Sequence, residues 1–218
     1  MPIREIRGKP LLRLAMAAVA IGLFLVGYYW GNRHQRYTST LPVIEGILIR
    51  PARPLPDFIL LDTAGQPFTA GRLAGHWTLL SFGNPSQAFG QSAITRMIEI
   101  FNRLANAPNL REQLLLVLVI LRPDGPTLAL DFEHSSPVLT LLSGTTDELQ
   151  RLRMALGMPL QAPSLTPDLA IPCYLIDPSG RLLALFPDAQ TPASIASDLV
   201  QVFSTTDHIE QAISSRRD

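Results

Sequence analysis

Apolar residues follow three different patterns along the chain. The first is an uncharged run from Leu14 to Trp30, LAMAAVAIGLFLVGYYW, which Leu11 and Leu12 extend around Arg13. Its length lies at the lower edge of what crosses a bilayer as one helix. Tyr28, Tyr29 and Trp30 close it as an interfacial aromatic belt would. The second pattern is the short continuous apolar run of a buried strand, seen in Thr78-Leu-Leu-Ser-Phe82, Leu114 to Leu121 and Val138 to Leu142. The third has helical spacing. Ile94, Met97, Ile98, Phe101, Leu104 and Ala105 predict a helix over roughly 92–107, and Leu149, Leu152 and Leu156 share one face of another.

Caps and turns divide these runs into elements. Thr145-Thr-Asp-Glu148 has the form of a capping box, and Gly157 stops the helix it opens. Cys173-Tyr-Leu-Ile-Asp177, the turn Pro178-Ser-Gly180 and Leu182 to Phe186 predict a hairpin. Thr191-Pro192 opens a last helix with Ile195, Leu199 and Val202 facing inward. Alternating strands and helices with one late hairpin predict an α/β fold, a mixed central sheet flanked by helices. The expected organisation is an N-terminal segment 1–10, a transmembrane anchor 11–30, a stalk and extended lead-in 31–53, a domain 54–203 and a polar, fraying tail 204–218.

Charge orients the chain. Residues 1–36 carry Arg4, Arg7, Lys9, Arg13, Arg33 and Arg36 against Glu5 alone, which leaves 12 basic and 17 acidic residues for the rest. Four of those six basic groups precede the apolar run. By the positive-inside rule the N-terminus stays in the cytoplasm and the domain is exported, as a single-pass protein of a bacterial inner membrane facing the periplasm. No small-x-small cleavage site follows the run, which favours an anchor over a cleaved signal peptide. An acidic domain without a basic run excludes nucleic acid as a partner. Cys173 is the only cysteine. The chain therefore has no internal disulfide, no dithiol chemistry of its own and no cysteine for a lipid anchor near its start.

Six blocks resemble the thioredoxin-like Sco/SenC family of cytochrome oxidase assembly proteins. They are Leu55-Pro-Asp-Phe58, Thr63-Ala-Gly-Gln-Pro-Phe-Thr69, Leu73-Ala-Gly-His-Trp77, Leu80-Ser-Phe-Gly83, Leu142-Ser-Gly-Thr-Thr-Asp-Glu-Leu149 and Tyr174-Leu-Ile-Asp-Pro-Ser-Gly180. The resemblance covers residues 50–203 and implies a thioredoxin-like fold. That family's chemistry needs two cysteines four apart after the Phe-Gly pair and a histidine before the late hairpin, a donor set suited to copper. On an ungapped reading those positions are Gln87, Gln91 and Leu169 here, and the acidic residue often found after the central strand is Arg122. A neutral amide oxygen is a poor copper ligand and leucine is none. No catalytic, cofactor-binding or metal-binding residue is therefore assigned, no cofactor is expected, and the chain is not read as an enzyme.

The remaining chemistry-bearing residues are scattered. Cys173 is expected to be a small core residue, with a residual copper contact or an intermolecular disulfide as alternatives. Ile171-Pro172 stands where thioredoxins have a cis-proline. His134 precedes the wrong strand to replace the missing histidine, and His34, His76 and His208 form no site. Ser86 has no His or Asp partner supplied by a motif. Asn84, Gln87, Phe89 and Gln91 form a candidate polar-aromatic recognition surface on a loop. The resemblance implies an accessory role in assembling respiratory cytochrome c oxidase, through contact with its subunits or with other copper-delivery proteins. A residual copper-binding protein and a general envelope accessory are the other readings.

Overall fold

The computed structural model describes residues 43–121, 138–158 and 172–214, with side chains to Thr206 in the last helix. These residues fall within one compact unit, Pro42–Asp218. The transmembrane segment read at 11–30 lies outside them, and no helix among the described residues is long and apolar enough to cross a membrane.

Six strands form the main sheet: β1 (Ile47–Pro54), β4 (Trp77–Gly83), β5 (Leu114–Ile120), β6 (Leu139–Leu142), β7 (Cys173–Ile176) and β8 (Arg181–Phe186). Their spatial order is β1-β8-β7-β4-β5-β6. β4, β5 and β6 run parallel, whereas β7, β8 and β1 are antiparallel to their neighbours. A small hairpin of β2 (Ile59–Leu61) and β3 (Pro67–Thr69) stands apart, linked by the Leu61–Ser143 bridge. The helices are α1 (Ala88–Arg103), the short α2 (Pro108–Gln113), α3 (Thr146–Ala155) and α4 (Pro192–Ser214). This is the expected mixed α/β architecture.

Side chains alternate across the sheet and build two cores. Trp77 and Leu79 of β4, Leu116 and Leu118 of β5, and Cys173 and Leu175 of β7 join one core with Ala93, Met97 and Ile100 of α1 and Ile195, Leu199 and Val202 of α4. Leu80, Phe82, Val117, Val119, Tyr174 and Ile176 join the other, beneath Leu149 and Leu152 of α3 and Leu60 and Phe68 of the hairpin. Each large apolar side chain buried this way contributes about 1.5–3 kcal/mol before entropy is subtracted. Because both faces are covered, β5 reads as an unbroken apolar run. A bulge between Leu175 and Ile176 shifts the β7–β8 register and places Leu182 and Ala184 in different cores.

Several sequence boundaries move. α1 begins at Ala88, one turn earlier than the apolar spacing indicates, because its first inward positions are the small residues Gly90 and Ala93. It gives way after Arg103 to a 3-10 turn, Leu104–Asn106. Ile47–Pro54, all but its last residue inside the segment read as stalk and lead-in, is an edge strand, a place that tolerates Pro51 and Pro54. The backbone of α4 continues to Ser214, through the start of the segment read as a polar tail. α3 starts as its capping motif predicts, with the Thr145 side chain accepting from the Glu148 N–H at 3.3 Å. Gly157 ends it at φ +76°, a conformation L side chains rarely adopt.

Candidate functional site

The strongest candidate surface lies where β4 passes into α1. β4 is buried throughout and ends at Gly83. Asn84 then makes a tight turn: its side-chain oxygen accepts from the Ser86 N–H (3.1 Å) and the Ser86 hydroxyl (2.7 Å), and its carbonyl accepts from the Gln87 N–H (2.9 Å). This locks the loop and leaves Gln87 extended as the residue before the helix. The Gln91 N–H bonds the Gln87 carbonyl at 3.0 Å, so the two glutamines stand one helical turn apart, both exposed. Phe89, between them, is half-buried and packs on the core containing Phe82 and Tyr174. From Trp77 to Thr95 the chain carries no charged residue. The result is a rigid, neutral, amide-rich surface with one aromatic.

Cys173 begins β7 on the other side of β4 from β5 and is 1% exposed. The Ser81 hydroxyl lies beside it and donates to the Pro172 carbonyl at 3.3 Å. Loss of hydration pushes the thiol up to about 11, and the Arg96 charge only partly offsets this. A thiol in that state is protonated at neutral pH and is a poor nucleophile. Tyr174, next in the strand, stands edge-on to Phe82 with ring centroids 6.2 Å apart, and burial pushes its phenol up to about 12.

Gln87 and Gln91 are thus exposed with Phe89 half-buried between them. Asn84, read as part of the same surface, is buried and serves the turn instead, and Phe89 and Gln91 lie on α1 and not on a loop. Cys173 is the core residue expected. Ser86 is engaged by Asn84. His76 is exposed at the start of β4, about 20 Å of strand from the Gln87 end. Leu169, Arg122, His134, His34 and the Ile171–Pro172 bond lie outside the described residues, as does the side chain of His208. Among the described residues, no group of three or more His, Cys, Asp and Glu could hold a metal ion. The exposed donors at the glutamine pair are neutral amides, which do not fit copper.

Two polar residues escaped the sequence reading. Arg96 of α1 donates to Asp188 Oδ1 (2.8 Å), to the Pro187 carbonyl and to the Gln190 carbonyl (2.7 Å). Asp198 of α4 accepts from the Glu45 and Gly46 N–H groups and from Gln190 Nε2. The signal for Asp198 was present, since a carboxylate three residues after Ile195 and four before Val202 lies on the inward helical face.

The sequence pattern of the SCO1/SenC family matches residues 49–204. A Stutzerimonas stutzeri protein named "Putative copper-binding protein" is 29% identical over 203 residues, spanning 91% of this chain and 92% of its own. The copper-bound structure of Bradyrhizobium japonicum ScoI is similar with a TM-score of 0.53 and 22% identity, covering 68% of this chain and 98% of that one. BsSco, a member of the Sco family of cytochrome c oxidase assembly proteins, gives a TM-score of 0.59 at 17% identity over 73% of this chain and 98% of its own. At those identities the two structures speak for the fold. The family pattern begins within β1 and takes in the other five strands of the main sheet, and the chain belongs to the SCO1/SenC family with its thioredoxin-like fold.

Proposed function

We propose that this chain is an accessory factor in the assembly of cytochrome c oxidase that works by protein–protein contact and holds no copper of its own. One observation carries the reading. Gln87 and Gln91, which an ungapped reading matches to the two cysteine positions of the family, stand exposed one turn apart at the start of α1, while the only cysteine is buried in the core. A pair of neutral amides on a locked turn suits recognition of a partner surface and supplies neither a soft ligand nor an electron pair for redox work. The same burial favours this reading over a residual copper site at Cys173.

In this reading the segment 11–30 anchors the protein in a bacterial inner membrane, N-terminus inside, with the domain in the periplasm. Tethering raises the local concentration of the domain at partners embedded in that membrane, so a modest interface is enough. The partners are subunits of cytochrome c oxidase or other copper-delivery proteins. No nucleic acid and no substrate are involved.

The test is retention of oxidase subunits by the full-length tagged chain from native membranes. Specific retention, weakened roughly tenfold or more by Gln87→Arg with Gln91→Arg, supports the reading, since each buried cation without a partner is costly. Retention no greater than that of a tagged anchor alone contradicts it.

A further inference from the structure

Asp198 is the one charged residue buried among those described, at 4% exposure. Three neutral N–H donors reach its carboxylate: Glu45 N at 3.2 Å, Gly46 N at 2.9 Å and Gln190 Nε2 at 2.7 Å. The first two belong to the lead-in to β1. Ser194, one turn earlier in α4, also bonds the Glu45 side chain. The lead-in is therefore held to α4 through backbone and side chain together.

The connection continues. Gln190 lies in the loop between β8 and α4, folded so that its N–H bonds the Pro187 carbonyl at 3.0 Å. Its carbonyl accepts from Arg96, whose side chain is only 10% exposed and also grips Asp188 and Pro187. Arg96 belongs to α1, five residues beyond Gln91. An unbroken series of hydrogen bonds thus runs from Glu45 and Gly46 through Asp198 and Gln190 to the helix that carries the glutamine pair. Cys173 sits beneath it, since it pairs with Phe186, the residue before Pro187, and its thiol feels the Arg96 charge.

The bonds at Asp198 and Gln190 are partly shielded from water, so breaking one leaves its neighbours poorly satisfied and the members support one another. We infer that the Asp198–Gln190–Arg96 network is a latch coupling the lead-in of the domain to the site helix. Release of Glu45 and Gly46 loosens the 187–190 loop and the hold of Arg96 on α1. Loosening at Arg96 frees the lead-in in return, as energetic coupling requires. Whatever acts on the chain ahead of residue 45 then changes the rigidity of the Gln87–Gln91 surface. This inference goes beyond the proposed function and does not depend on which partner docks.

The test uses the full-length chain and three variants, Asp198→Asn, Gln190→Ala and Arg96→Gln, with two readouts. One is the labelling rate of Cys173, which as the sole cysteine reports on opening above it without background. The other is amide exchange at residues 44–47 and 88–96, with β5 amides as the control for an intact fold. Coupling predicts that Asp198→Asn raises Cys173 labelling and α1 exchange by roughly fivefold or more, and that Arg96→Gln does the same to the Glu45 and Gly46 amides, the range expected of coupled sites. Gln190→Ala, the mildest change, is expected to produce both effects with β5 still protected. Exchange confined in every variant to the groups that lost their own hydrogen bond overturns the latch.

Discussion

Gly90 lies so close to Asn84 that a Cβ added to it would stand 1.9 Å from the Asn84 carbonyl oxygen. The contact is backbone on one side, so it cannot be relieved by turning a side chain. It seats the first turn of α1 directly on the Asn84 turn, and Gly83 reinforces it from below, its added Cβ meeting Gly90 Cα at 3.0 Å. The positions of Gln87 and Gln91 depend on this approach. Gly90→Ala is expected to destabilise the domain by at least about 2 kcal/mol through overpacking. Urea unfolding should show the fall in midpoint without a change in slope. A stability within about 0.5 kcal/mol of the parent, the usual range of a neutral surface change, would show that the helix start can shift freely.

The Cys173 thiol gives a pH signature. Its folded value of about 11 lies above the unfolded value of 9.0, because burial disfavours the thiolate. Between those limits the folded state binds more protons than the unfolded state, so stability falls as pH rises. The contribution is fully present below pH 9 and is lost by about pH 11. Its size is on the order of 2 kcal/mol. Tyr174, pushed from 10.0 to about 12, extends the decline in the same direction. Cys173→Ala should flatten the slope between pH 9 and 10 in chemical unfolding curves. An unchanged slope would mean that the thiol is hydrated in the folded state.

Just beyond the end of β6, Thr145 caps α3 by accepting from the Glu148 N–H. Thr145→Ala should cost about 1 kcal/mol, and Thr145→Asp or Thr145→Ser very little. Thermal unfolding of the three variants provides the check. Equal losses in all of them would assign the effect to packing instead of the cap.

What was legible in the sequence and what was not follow a physical divide. β5 and the Cys173–Phe186 hairpin could be read because burial on both faces or a Pro-Ser-Gly turn writes itself into adjacent residues. The α3 start was equally plain, since Thr145 and Glu148 are three apart in sequence and bonded in space. The start of α1 was placed too late because its seat is made by Gly90 and Asn84, a close approach that apolar spacing does not encode. β1 was read as a lead-in because Pro51 and Pro54 weaken a strand pattern, and only its pairing with β8 more than a hundred residues later reveals it. Asp198 and Arg96 were missed for the same reason: apart from Gln190, eight residues from Asp198, their partners lie 91 to 153 residues away. At the site, counting residues from Phe82 and Gly83 picked out Gln87 and Gln91, but as part of a loop; only the helix start at Ala88 sets them one turn apart. The resemblance supplied the meaning of those positions.

Restoring thiolates tests whether the scaffold still presents that geometry. Gln87→Cys with Gln91→Cys would place two thiols one turn apart on an exposed helix start, about 5–6 Å between Cβ atoms. Such a pair should take up Cu(I) with roughly two-coordinate thiolate stoichiometry, since soft ligands select that ion. Absence of any gain over the parent chain would mean that the first turn of α1 no longer orients side chains for a shared ligand.

The most direct measurement is Cu(I) competition by the full-length chain against a strong chelator, with Cys173→Ser alongside. Neither protein is expected to withdraw Cu(I) from the chelator, because the exposed donors at the glutamine pair are amides and the only thiol is buried and protonated. Tight binding by the parent chain, whether or not Cys173→Ser abolishes it, would contradict an assembly factor that works without copper of its own.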